Sequence, residues 1–223
     1  MYKALIEKEL REMWWMAVLA LLPLGYYVLF LMGYNHLTFF SMRPVEIPFV
    51  SDSFHLWFAC TASSLAAVLG LWQSVSESTR GTWPFLAHRP LSRRRMLATK
   101  MATGLALLLV ATPIPIIIYG IWSATPGTHA SPFRWSMTAD AWLSWWAATA
   151  IYLAAFLSGL RPARWYASRL LPLIGIALLV SLIQIVAPWT IASLWWSSFI
   201  AVLLFDAVLV FTVFHEPDDL DFA

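Results

Sequence analysis

Residues 170–205 read LLPLIGIALLVSLIQIVAPWTIASLWWSSFIAVLLF. These 36 residues carry no charged side chain. A bilayer core about 30 Å thick is crossed by roughly 20 apolar helical residues. The run is therefore too long for one crossing, and Pro188 interrupts it. It predicts two spans, at about 170–187 and 197–214. Residues 188–196, PWTIASLWW, are either a short interfacial or re-entrant helix between them or the first turns of the second span. Chains that cross lipid must satisfy their backbone hydrogen bonds internally, so a span is a helix or a strand of a closed barrel. Continuous apolarity, without strict alternation, selects the helix.

The rest of the chain has the same character. Of its 223 residues, 61% are hydrophobic and 12% charged, and the mean hydropathy is +0.72. A soluble domain carries about a quarter charged residues. The net charge of +2 does not suggest a nucleic-acid partner. The single cysteine, Cys60, can form no internal disulfide. The start, MYKALIEKELRE, is charged and amphipathic and does not read as a signal peptide.

Four further spans are predicted, at about 14–32, 53–75, 101–122 and 139–160, with Pro113 and Pro115 kinking the third. Trp14 and Trp15 open the first span where an aromatic belt would lie. Residues 2–12, within the 1–12 elbow segment, read either as an amphipathic helix lying in the interface, with Tyr2, Leu5, Ile6 and Leu10 on one face, or as a charged lead-in to the first span. The expectation is an all-α membrane protein: a single transmembrane domain over 1–223 with six helices, an N-terminal amphipathic elbow helix, short cytoplasmic coupling helices within loop 76–100, and a polar tail at 215–223.

Charge tests that layout. With six spans, the lysines and arginines at 3, 8, 11, 80, 89, 93, 94, 95, 100, 161, 164 and 169 fall on one side, and only Arg43 and Arg134 on the other. Twelve against two obeys the positive-inside rule and predicts that both termini are cytoplasmic.

Several chemistries find no support. No G-x-x-x-x-G-K-[ST] occurs, so the chain lacks a P-loop. The five histidines are scattered, and His215-Glu216 lacks the second histidine of a zinc motif. No metal site, resident cofactor or catalytic residue is predicted, and the chain is not expected to be an enzyme. One acid falls at membrane depth: Asp206, in VLLFDAVLV. It reads either as a candidate residue of a substrate path or as a protonated or hydrogen-bonded packing residue.

Most of the remaining information lies in the stretch from Glu77 to Lys100, ESTRGTWPFLAHRPLSRRRMLATK, which holds seven charged residues between two apolar runs. Arg93, Arg94 and Arg95 are accounted for by the inside rule and by anionic lipid. Gly81-Thr82 makes a break, Thr82 can cap a helix, and Pro84 suits its first turn. Trp83, Phe85 and Leu86 would then be apolar side chains on an exposed loop, which suggests a docking partner.

The pattern E-x-x-x-G-T-x-x-F-L-x-x-x-P-x-S-R-R, carried by Glu77, Gly81, Thr82, Phe85, Leu86, Pro90, Ser92, Arg93 and Arg94 and followed by Lys100 at the head of a span, resembles the permease subunits of export-type ABC transporters, the type-two membrane family. The elbow helix, six spans and two cytoplasmic loops are similar to that family's layout. The resemblance implies a permease in the cell (inner) membrane that pairs with a second permease chain, identical or different, and docks on a separate ABC ATPase that binds the ATP and magnesium. It implies that Gly81, Thr82, Trp83, Phe85, Leu86, His88 and Arg89 form the coupling helix. Glu77 would lie at the cytoplasmic gate, and Arg161, Arg164 and Arg169 would form a second cytoplasmic contact. The few polar groups on the spans point to an amphipathic or hydrophobic substrate. The rival readings are a membrane anchor or assembly factor that recruits a cytoplasmic partner through the same loop, and an intramembrane enzyme.

Overall fold

A computed structural model describes residues 2–34, 47–79, 93–129, 132–161, 168–186 and 192–215. The described residues are helical, with short turns. Helix α1 is Tyr2–Leu31, α2 is Phe54–Thr79, α3 is Arg93–Ala111 and α4 is Pro113–Ala124. A 3-10 turn at Trp135–Thr138 leads into α5, Ala139–Leu160, followed by α6, Leu171–Val186, and α7, Ala192–His215. Five helical segments are long and apolar enough to cross a membrane, with α3 and α4 counted together. Helix α6 is apolar but has only 16 residues, about 24 Å of rise.

The third span, where a proline kink is expected, is divided at Thr112, between α3 and α4. Pro113 and Pro115 have no N–H to give to the preceding turn. The Thr112 hydroxyl donates to the Leu108 carbonyl at 2.7 Å, which holds the joint closed.

The separate helix expected over 1–12 is not set off from the first span, because Tyr2–Leu31 is one continuous helix. Nothing in EKELREMWW breaks a helix, and Pro23 is accommodated within it. The apolar face also differs from the expected one. Leu5, Met13 and Met16 are buried, whereas Ile6 and Leu10 are exposed.

Helix α5 is the axis of the bundle. Over its apolar stretch 83% of the residues are buried inside the protein, against 17% for α7. It packs most extensively on α2 and also touches α3, α4, α6 and α7. Two glycines permit the close approach to α2. A Cβ on Gly70 would lie 2.5 Å from the Tyr152 carbonyl oxygen, and one on Gly159 would collide with Ser74.

Cross-helix contacts fix the directions. Gly70 meets Tyr152 to Phe156 and Ser74 meets Gly159, so α2 and α5 run parallel. Trp15 contacts Trp72 and Tyr27 contacts Trp57, so α1 runs against α2. Ser144 bonds Gln184 and Ser158 bonds Leu173, so α6 runs against α5. Trp146 meets Phe199 and Thr149 meets Asp206, so α7 runs with α5. The start of α1 and the end of α7 therefore lie at the same end of the bundle. Lys3, Lys8, Arg11, Arg94, Arg95, Lys100, Arg161 and Arg169 all belong to that end. At the opposite end Asp52 accepts from Phe54 N and Phe49 N, each at 3.0 Å, and from Tyr119 Oη at 2.6 Å.

Candidate functional site

Near the basic end the bundle encloses a buried polar network that joins four helices. Glu9 on α1 and Lys100 on α3 are each 2% exposed. Lys100 Nζ lies 2.8 Å from Glu9 Oε1. Gln73 on α2 sits beside the pair, its Nε2 donating to Glu9 Oε2 and to the Lys100 carbonyl, both at 3.0 Å. Tyr152 on α5 completes the set, its hydroxyl donating to Gln73 Oε1 and lying 3.2 Å from the Met101 carbonyl oxygen.

Local sequence explains why these side chains converge. Glu9 falls on the helical face of Leu5, Met13 and Met16, so burying that stripe buries the acid. Gly104 lies one turn beyond Lys100, and a Cβ there would run into both Tyr152 Oη and Gln73 Oε1. The glycine is the space that this hydrogen bond occupies. An ion pair out of water needs its remaining donors and acceptors satisfied. The Gln73 amide supplies that, bonding Glu9 with one end and accepting from Tyr152 with the other.

A second polar contact lies at mid-span. Asp206 is the eleventh residue of the 19-residue segment Trp196–Phe214. The Thr149 hydroxyl on α5 is 2.8 Å from Asp206 Oδ2 and 2.6 Å from the Trp146 carbonyl oxygen. Asp206 Oδ1 is buried and has no hydrogen-bond partner among the described residues. The indole N–H groups of Trp145 and Trp146, one turn before Thr149, are likewise buried without partners among the described residues.

The coupling residues Gly81, Thr82, Trp83, Phe85, Leu86, His88 and Arg89 lie outside the described residues, as does Arg164. Glu77 lies in the last turn of α2, one turn after Gln73. Arg161 follows α5 directly and is half-buried. Arg169 folds back on the end of α5: Nη2 donates to the Gly159 carbonyl at 2.7 Å and Nε to that of Ser158 at 3.2 Å. A guanidinium suits the unpaired carbonyls of a helix C-terminus. Partial burial lowers its pKa from the ordinary arginine value by desolvation. The structure thus brings Arg161 and Arg169 to the end of α5 and leaves Asp206 far from both.

Sequence reasoning missed Glu9, Gln73 and Tyr152. One available signal was Glu9 itself, an acid spaced four residues from both Leu5 and Met13. The chain has no match among family models, curated proteins or solved structures.

Proposed function

We propose that this chain is the membrane subunit of an ATP-driven exporter, working with a separate ABC ATPase and a second permease chain. The reading takes both termini and loop 76–100 as cytoplasmic, with six membrane crossings that include the short α6. The supporting observation is where the charged segment joins the bundle. It leaves from the end of α2 and returns at the start of α3, and the facing ends of these helices are tied together by Gln73 and Lys100. Side chains docked on a cytoplasmic ATPase through Trp83, Phe85 and Leu86 would pull on both helices at once. Glu9 would carry the displacement to α1, and Tyr152 would carry it to α5.

In this mechanism the partner ATPase binds ATP and magnesium and supplies the work. The chain's own residues transmit it. Glu77, one turn from the network, would sense the movement at the cytoplasmic gate. Arg161, Arg164 and Arg169 would make the second contact at the end of α5. The substrate would be amphipathic or hydrophobic, since the described spans offer few polar groups.

The test is co-purification in detergent with co-expressed ABC ATPase subunits from the same genome, comparing the native chain with Phe85→Asp/Leu86→Asp. The expected result is a stable complex that the double substitution abolishes, with the variant permease still folded. A native chain that retains no ATPase would remove the coupling reading. Retention without substrate-stimulated ATP hydrolysis would favour an anchor that recruits its partner through the same loop.

A further inference from the structure

Helices α1 and α3 start together at the basic end and run side by side, with Leu5 clustered on Met96 and Glu9 meeting Lys100. Beside that line of contact a groove of about 470 Å³ lies between them. Ile6 and Leu10 of α1 form one wall, and Ala98, Ala102 and Ala106 of α3 the other. The alanines recur every four residues, which keeps them on one face of the helix. Thr99 and Thr103 also line the groove, but their hydroxyls donate to the Arg95 and Thr99 carbonyls, each at 2.8 Å. Both hydroxyls are thus satisfied within α3, and the groove suits an apolar occupant.

Its length and its ends say which. From Ala98 to Ala106 it covers about 12 Å of helix rise. That matches one leaflet of the bilayer core, about 15 Å deep. At depth the same two faces continue into Trp14 and Val110, one turn beyond Leu10 and Ala106, and both are exposed. A spanning helix packed here would need small residues along its whole contact, and these bulky side chains would hold it off. A flexible hydrocarbon chain has no such requirement.

The other end is cationic. Arg95 is exposed and lies three and four residues before Ala98 and Thr99, on their face of α3. Lys3 stands three residues before Ile6 on α1 and is likewise exposed. Glu7 lies 3.8 Å from Lys3, but the two side chains are 63% and 88% exposed, and so exposed a pair is held weakly. Helical side chains lean towards the N-terminus, which for α1 and α3 is the basic end.

We infer that the α1–α3 groove holds one anionic phospholipid, with an acyl chain between Ile6, Leu10 and the alanines and the phosphate against Arg95, with Lys3 beside it. The site follows from the groove and the basic end and is independent of the exporter reading.

The test titrates the purified full chain, in a mild detergent, with phosphatidylglycerol and with phosphatidylcholine of the same acyl chains, read by native mass spectrometry. The native chain should bind a first phosphatidylglycerol at least about fivefold more tightly than phosphatidylcholine, and Arg95→Gln should remove about fivefold, the share of one basic residue near anionic lipid. Ala102→Leu should abolish that first step. Ala102 is exposed, so the larger side chain fills the groove without entering the bundle. Ala106→Leu does the same and replaces it if thermal unfolding shows that Ala102→Leu does not fold. Equal binding of the two lipids, or native binding by Arg95→Gln or by the groove-filling variant, would overturn the site. A native dimer that Ala102→Leu dissociates, with no lipid preferred, would also overturn it and give the groove to a second copy of the chain.

Discussion

The molecule holds two buried carboxylates in opposite states. Glu9 is met by Lys100 at 2.8 Å and by Gln73 at 3.0 Å. Asp206 has one oxygen bonded to Thr149 and the other without a partner among the described residues. Both lie in apolar surroundings, yet their neighbours differ. Glu9 sits where α1, α2 and α3 converge and α5 reaches in through Tyr152. Asp206 sits on the least buried of the long helices, which packs chiefly on α5. A charge completed by its own chain holds helices in register. One left incomplete is a cost that the fold carries at that depth.

The largest expected effect comes from breaking the completed site. Lys100→Ala strands Glu9 as an uncompensated buried charge, a loss of about 3–5 kcal/mol. Thermal unfolding in detergent should show it as a marked fall in stability. Glu9→Gln/Lys100→Met removes both charges and should recover most of that loss. If the double variant is no better than Lys100→Ala, the two side chains do not act as a pair.

Tyr152→Phe tests the outer edge of the same network. It removes the hydroxyl that Gln73 Oε1 accepts from, while both Gln73 Nε2 bonds remain. The expected cost is about 1–3 kcal/mol, that of a buried acceptor left unpaired. If Tyr152 also links the network to α5 during transport, substrate-stimulated ATP hydrolysis should fall by more than the stability loss explains. Unchanged stimulation would confine Tyr152 to a packing role.

The two regions were not equally legible in the sequence. Asp206 was conspicuous because one acid in a long apolar run stands out. The long apolar helices were legible for the same reason: the fourth, expected at about 139–160, is Ala139–Leu160. Glu9 was not conspicuous, because it lies among other charges in EKELRE. The expected apolar face of α1 also followed the habit of soluble helices, with Ile6 and Leu10 turned inward. Lipid is as apolar as leucine, so hydrophobicity alone does not say which side of a spanning helix faces protein. The interior is marked instead by small and polar residues. Gly70, Gln73, Gly104 and Gly159 carried that mark, but their partners are remote in the chain: Gln73 lies 64 residues from Glu9 and 79 from Tyr152. No local periodicity pairs them.

The smallest effect on stability should come from Asp206, and it bears most directly on the contrast. Asn keeps the size of the side chain and still meets Thr149, but carries no charge. With Thr149 as the one contact described for the carboxylate, the fold gains little from its charge. Asp206→Asn should then unfold within about 0.5 kcal/mol of the native chain, or slightly above it, because the cost of a charge at membrane depth has been removed. Its melting curve, set beside that of Lys100→Ala, measures the contrast. A loss above about 1 kcal/mol would mean that the acid supports the packing of α7 on α5. The two carboxylates would then differ in degree only. A neutral result beside a large loss at Lys100 would separate a charge that builds the bundle from one that the bundle only carries.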